Sequence, residues 1–386
     1  MTAIKCFGEK DMQYLKEVID SQELWRGFCS DTSFTSRFED AYAKHLGRKY
    51  VLGISSGTNA EEVALAAMGL EPGDEVLCPG VAPIFVSMPV VSIGAIPVFV
   101  DVEPETMIMD PAKIEERITP KTKAILVVHL HGVPAKMDEI LAIAKKHNLM
   151  VMEDCAQAYD AYYKGRKTGT MGDVMCASLQ QSKHMTSGEG GIFATDDPEM
   201  YKRAVMFHNV GMPWYRFGLD APEAVPFEGV GTRGHFAFGH NYRMSDLQGA
   251  IALAQLERVD EYHAARAERV AAIEAELAGA EGIELAHVHD DCQANYWLYP
   301  VRMPEGMGGM EINYVEVAFQ KMQNDRKTLM GTPLPDYVQY VVGSCPVAEK
   351  ESTRFTCLGC HPSSSVEDCV ASARDLKKQV AEFLAK

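Results

Sequence analysis

Apolar positions along this chain recur in two periods. Short unbroken apolar runs alternate with stretches in which apolar residues return every three or four positions. RFEDAYAKHLG (residues 37–47) has the helical spacing and ends on a glycine stop. Residues 50–54 form a short apolar strand, 55–58 a turn of small residues, and 59–68 a helix rich in Ala and Glu. GDEVLCP and residues 96–102 read as strands, 124–132 and 149–158 as buried strands, and MDEILAIAKKHN between those two as an amphipathic helix. Strands alternating with helices predict an α/β fold with a mostly parallel sheet and helices on both faces.

The character changes from Met244. SDLQGAIALAQLERVDEYHAARAERVAAIEAEL is a long helical stretch, bent or broken near Asp260. YWLYPVRM reads as a strand, and VEDCVASARDLKKQVAEFLAK as a closing helix with lysines in its last turns. The expected division is an N-terminal arm and large domain over residues 1–255, then a smaller C-terminal domain over 256–386. No internal repeat or low-complexity segment interrupts it.

In open α/β sheets, ligands sit beyond the carboxyl ends of the strands. SSGT, HLHG, EDCAQA and SLQQSK all lie at or just past predicted strand ends. SSGT (residues 55–58) stands between a strand and a helix start, where free backbone N–H groups hold a phosphate. Asp154 ends an apolar strand, so its carboxylate is desolvated unless a cation meets it. Alone, such an acid is more often an N-cap or half of a structural ion pair. Lys183 lies in SLQQSKHMTSGEGG, between small and amide side chains and a glycine-rich turn. A lone lysine is ordinarily a solvated surface charge. A reactive one needs desolvation or a cationic neighbour to lower its pKa from ~10.4. Together, a phosphate turn, a strand-end acid and a lysine before a glycine turn are the three parts that a pyridoxal phosphate site requires.

Composition narrows the function classes. The chain has 386 residues and a net charge of −17, which argues against a nucleic-acid partner. No apolar run reaches ~18 residues, so no membrane-spanning segment is expected. The charged N-terminus lacks the apolar core of a signal peptide, and the ten cysteines read as reduced thiols of a cytoplasmic protein. CLGCH (residues 357–361) fits a haem-attachment pattern, but attachment needs an exported chain, and one C-x-x-C pair is half a zinc site. No metal is expected. GVGTRG (residues 229–234) fits a dinucleotide fingerprint but follows a loop and opens no helix, so it reads as a loop.

The motifs RFEDAYAKHLG, SSGT, GAIPVFVDVEPETMIMDP, HLHGVPAKMDEI, EDCAQAYDAYYKGRKTGTMGD, SLQQSKHMTSGEGGIFATDD, GHNYRMSDLQGAIALAQLERVD and PVAEK occur here in order. In that combination the chain resembles the DegT/StrS-type sugar aminotransferases. The resemblance implies the type I fold of pyridoxal 5′-phosphate enzymes. That fold has a large domain on a mostly parallel, seven-stranded-type sheet sandwiched by helices, and a smaller C-terminal α+β domain. It implies Lys183 as the Schiff-base lysine, Asp154 as the partner of the ring nitrogen and Gln157 as the amide near the ring hydroxyl. Ser178, Gly57 and Thr58 match phosphate ligands, and Asn241 matches a residue that reaches the phosphate of the other subunit, hence a homodimer with composite active sites. His131, Gln180, Tyr242 and Arg243 are the candidates for contact with the small-molecule donor and keto acceptor. The QQSK variant is similar to the branch of glutamine:scyllo-inosose aminotransferases and 3-amino-5-hydroxybenzoate synthases. The expected reaction moves an amino group from glutamine or glutamate to a keto-cyclitol or keto-sugar. A nucleotide-sugar acceptor, a dehydratase or aromatising synthase on the same scaffold, and a regulatory homologue without activity are the alternatives. The family has an aromatic that stacks on the ring; here Pro83 stands at that position, and Phe85 serves only if the loop is locally shifted. His131, Lys136, Asp160 and Trp297 depart from the residues common in the family, around the substrate more than the cofactor.

Overall fold

The computed structural model describes residues 3–26, 32–213 and 234–386. Its helices are α1 (Glu9–Ser21), α2 (Phe34–Leu46), α3 (Gly57–Ala67), α4 (Met88–Ser92), α5 (Met137–His147), α6 (Pro198–His208), α7 (Asp246–Leu256), α8 (Val259–Leu277), α9 (Val317–Asp325), α10 (Pro346–Ser352) and α11 (Val366–Leu384). Its strands are β1 (Tyr50–Ile54), β2 (Glu75–Pro79), β3 (Ile96–Val100), β4 (Thr122–Val128), β5 (Met150–Asp154), β6 (Tyr162–Tyr163), β7 (Arg166–Lys167), β8 (Val174–Ser178), β9 (Gly191–Thr195), β10 (Cys292–Gln293), β11 (Leu298–Arg302) and β12 (Phe355–Gly359).

Seven strands form the main sheet in the order β1-β9-β8-β5-β4-β2-β3. Neighbours from β8 through β3 are parallel, and β9 runs antiparallel to both β1 and β8. The central strands β4, β5 and β8 are apolar on both faces, as a sheet covered by helices on each side requires. The α/β expectation therefore holds, with β9 as the antiparallel member. β4 and β5 end sooner than the apolar runs suggest. After β4 the chain makes a tight turn with His131 at φ 58°, and after β5 the Ala156 N–H folds back onto Asp154 Oδ1 (2.8 Å). Both turns place polar side chains at the carboxyl edge.

The long helical stretch breaks at Glu257 and Arg258, two residues before the expected Asp260. α7 packs on α2 and α1, whereas α8 packs on α11. β11 and β12 form a two-stranded sheet over a separate core with Val270, Ile273, Leu277, Leu376 and Val380. Residues 313–348 return to the first core, where Tyr314, Phe319 and Tyr340 surround Phe99 of β3. Residues 229–233 of GVGTRG lie outside the described residues. Among the described residues, no helix is long and apolar enough to cross a membrane.

Two buried acids brace this frame. Glu153 accepts N–H groups from Gly169 (2.8 Å), Met171 (2.7 Å) and Gly172 (2.6 Å), together with His129 Nε2 (3.0 Å). His129 Nδ1 accepts the Ala135 N–H (3.0 Å), so this cluster spends on the backbone the lone pairs that a metal would need. Asp160, at φ 52°, receives His45 of α2 (2.8 Å), Lys167 of β7 (2.7 Å) and His263 of α8 (2.8 Å). It therefore ties the large domain to the helix that carries the small one. Although burial opposes ionisation, the bonds from His263, His45 and Lys167 outweigh it and hold this carboxyl well below its usual range. A group held low stabilises the fold above its unfolded pKa of ~3.9 and loses that contribution as pH falls through the folded value. Asp160→Asn is expected to lower stability by about 1–3 kcal/mol at neutral pH. That gap should narrow once the pH drops below ~4. Urea unfolding across pH checks it, and an equal deficit at all pH values would contradict this role.

Candidate active site

The site begins where β1 ends. Ser56 caps α3, its Oγ accepting the Asn59 N–H (3.2 Å) while its carbonyl takes the Ala60 N–H (3.0 Å). The N–H groups of Gly57 and Thr58 precede the first intrahelical bonds, so they and the positive end of the helix dipole are open to an anion. Ser178, the last residue of β8, lies directly opposite. A Cβ on Gly57 would stand 2.7 Å from Ser178 Cβ, and one on Gly191 would stand 2.1 Å from the Ser56 carbonyl oxygen. Only glycine permits both approaches, and they bring SSGT, Ser178 and Gly191 together around the α3 N-terminus.

The same cavity, about 390 Å³ in volume, contains Asp154, Gln157, Gln180 and Lys183. Lys183 is buried, and desolvation pushes its amine below the usual lysine range against the opposing pull of Asp154 and Glu61. Asp154 is raised by burial, partly offset by the Ala156 N–H and by Lys183. Gln157 lines the cavity and accepts the His131 N–H on Oε1 (2.7 Å), so its amide nitrogen is the end that can donate. Gln180 accepts both the N–H (2.8 Å) and the hydroxyl (2.7 Å) of Ser182, so its carbonyl is committed to shaping the lysine loop. Of the two residues considered for ring stacking, Phe85 lines this cavity and Pro83 does not.

Two further residues complete the site: the sequence reading missed the first and placed the second around the substrate. Glu61 lies one helical turn beyond Gly57 on the same face of α3 and lines the cavity. Its Oε2 has no hydrogen-bond partner, and burial together with the neighbouring Asp154 drives its carboxyl well above the usual range. The i,i+4 relation to Gly57 was the available signal. The other is Trp297, whose ring lies under the Lys183 ammonium nitrogen at 4.0 Å from the centroid.

The remaining candidates lie apart. His131 lines an adjoining cavity of about 230 Å³, where its Nε2 meets Cys357 Sγ at 3.3 Å. Burial lowers this imidazole to about 4 and raises the Cys357 thiol to about 12, so both are neutral. Cys360 bonds instead toward the Tyr296 and Trp297 carbonyls, so the two cysteines of CLGCH serve different neighbours. Tyr242 donates to Glu62 Oε2 (2.7 Å), Arg243 donates to Asn209 Oδ1 (2.8 Å), and Asn241 is exposed. None of these three lines the Lys183 cavity within this chain.

A parallel sheet with a helix N-terminus, a buried acid and a buried lysine amine at its carboxyl edge defines a type I pyridoxal-phosphate-dependent aminotransferase. The glycine-shaped anion cradle and the ring-deep acid fit that cofactor. The chain belongs to the DegT/DnrJ/EryC1/StrS aminotransferase family, whose model matches residues 5–373. It is 40% identical over 287 residues to GDP-perosamine synthase of Caulobacter vibrioides, covering 72% of this chain and 73% of that one. It is 39% identical over 252 residues to L-glutamine:2-deoxy-scyllo-inosose aminotransferase of Micromonospora echinospora, covering 65% of this chain and 59% of that one. Its fold matches the crystal structure of 3-amino-5-hydroxybenzoic acid synthase with a TM-score of 0.84 at 25% identity, over 99% of this chain and 98% of that one.

Gly57→Ala is expected to displace Ser178 and weaken cofactor affinity at least roughly tenfold, the loss of about one charge-assisted hydrogen bond. Fluorescence titration of the cofactor-free protein with pyridoxal phosphate measures it, and an unchanged affinity would remove the cradle from this account.

Proposed function

We propose that this chain transfers an amino group from glutamine or glutamate to a keto-cyclitol or keto-sugar, with Lys183 as the covalent anchor of the cofactor. The observation that carries the reading is the single cavity joining Lys183, Asp154 and the α3 N-terminus. When bound, pyridoxal phosphate supplies an electron sink that stabilises negative charge on the substrate carbon. Gly57, Thr58 and Ser178 would hold its phosphate. Asp154 would keep the ring nitrogen protonated, and Gln157 would donate to the ring oxygen. Lys183 Nζ, lowered by burial, takes a proton from one carbon and returns it to another as general base and acid.

Asn241 is exposed on this chain, which supports its reaching the phosphate of a second subunit in a homodimer with composite sites. Arg243 is our candidate for the donor carboxylate, its guanidinium now held by Asn209. The thiol-rich composition supports a cytoplasmic setting.

Charge supports one class of acceptor. Among the described residues that line the cavity, Lys183 is the sole side-chain cation, beside Asp154, Glu61 and Glu189. That lining favours a neutral polyhydroxylated ketone over a diphosphate, and so a keto-cyclitol. The nucleotide-linked keto-sugar remains the second reading, favoured by the 40% identity to GDP-perosamine synthase.

The test supplies holoenzyme with glutamine or glutamate labelled at the α-nitrogen, then with a keto-cyclitol or a nucleotide-linked keto-sugar. A cyclitol amine carrying the label is the expected product, and Lys183→Ala should lower the rate at least ~1,000-fold, losing both its covalent and acid–base roles. A labelled nucleotide-sugar amine would select the second reading. Loss of water without nitrogen transfer would sink transamination.

A further inference from the structure

The small-domain residue nearest the reactive amine is Trp297, and it is fixed to the lysine loop at several points. Its indole N–H donates to the Ser182 carbonyl (2.9 Å). Its own carbonyl accepts Arg266 Nη1 (2.9 Å), and the other arm of that buried guanidinium donates to the Lys183 carbonyl (3.2 Å). Its backbone N–H bonds to the His131 carbonyl (3.0 Å). The indole is therefore tied both to residues 182–183 and, through Arg266, to α8. Lys183 Nζ sits over the ring, 4.0 Å from its centroid, a geometry that attracts a cation through the face of the ring.

We infer that Trp297 is a positioning residue for Lys183: its indole face holds the ammonium form of the amine whenever the lysine is not covalently engaged, and keeps that proton aimed into the cavity. The inference rests on the reading of Lys183 as the reactive amine. An indole suits this task better than a carboxylate. An acid would pair with the ammonium and hold its proton too firmly, whereas the ring quadrupole attracts the cation weakly and offers no site for the proton. The other groups facing the amine are Asp154 of β5 and Glu61 of α3, which favour the charged form, and Arg266 of α8, which opposes it along with burial. Glu189 also lines the cavity. Asp154 and Glu61 act on the amine through charge, whereas the face of Trp297 meets it directly at 4.0 Å from the centroid. Trp297 also lines the adjoining chamber of His131 and Cys357.

The test titrates Lys183 itself in cofactor-free protein, so it needs neither donor nor acceptor. Trace acylation across pH, read by mass spectrometry of the Lys183 peptide, gives the amine's apparent pKa. It should be highest in the parent, lower in Trp297→Phe and lowest in Trp297→Leu, with a total fall of roughly one unit. With cofactor bound, the absorbance band should persist in both variants while the donor half-reaction slows in the same order. A parent and Trp297→Leu that titrate together, or a Trp297→Leu that titrates higher, would overturn the inference. Should that variant fail to fold, the pH dependence of tryptophan emission in the parent decides. A step that vanishes in Lys183→Met supports the contact, and a step that survives there, or no step in the parent, overturns it. Failure to form an aminated product would leave the titration intact, so the two claims fail separately.

Discussion

Burying an amine is the constraint around which this molecule is arranged. A lysine ammonium taken out of water is costly unless charge or polarisable density meets it. Here the Lys183 nitrogen is met by Asp154, by Glu61 and by the face of Trp297. Each comes from a different element: the end of β5, the second turn of α3 and the segment before β11. The compromise leaves the amine below its ordinary range, which reactivity at neutral pH demands.

That arrangement needs the two lobes to stay in register. Arg266 of α8 grips the carbonyls of both Lys183 and Trp297. Asp160 and His263 form a second clasp, and it reaches the lysine loop. Asn295 donates to His263 Nδ1 (2.9 Å), and the Asn295 carbonyl bonds to Nε2 of His184, the residue after Lys183. Asp160 is one of the positions at which the chain is expected to depart from the resembled family. The departures at Asp160 and Trp297 thus converge on the backbone around one lysine. On the opposite side, Gly57 and Gly191 let the α3 N-terminus approach the ends of β8 and β9, which sets the distance between an anion cradle and the amine.

Much of this was legible in the sequence. The alternation of apolar periods gave the parallel sheet, and strand-end positions singled out SSGT, Asp154 and Lys183 before any coordinates. What stayed hidden was burial imposed by neighbours. Glu61 sits in an Ala/Glu helix that reads as half solvated, but α3 is enclosed by α4, α6, β8 and β9. Trp297 reaches Lys183 across a long stretch of chain, and no local period encodes that contact. The helix break falls at Glu257 and Arg258 because α7 and α8 pack on different partners, a tertiary cause. Gln180 lines the cavity as its strand-end position suggested, and only the fold shows that its carbonyl accepts from Ser182.

The central claim is that Lys183, and no other lysine of this chain, bonds pyridoxal phosphate in the cavity it shares with Asp154. Borohydride reduction of the cofactor-loaded protein, followed by proteolysis and mass spectrometry, measures this directly. The account predicts one phosphopyridoxyl-modified peptide, the one containing Lys183, and none from Lys183→Ala. Label spread over surface lysines, or retained at another position in that variant, would contradict it.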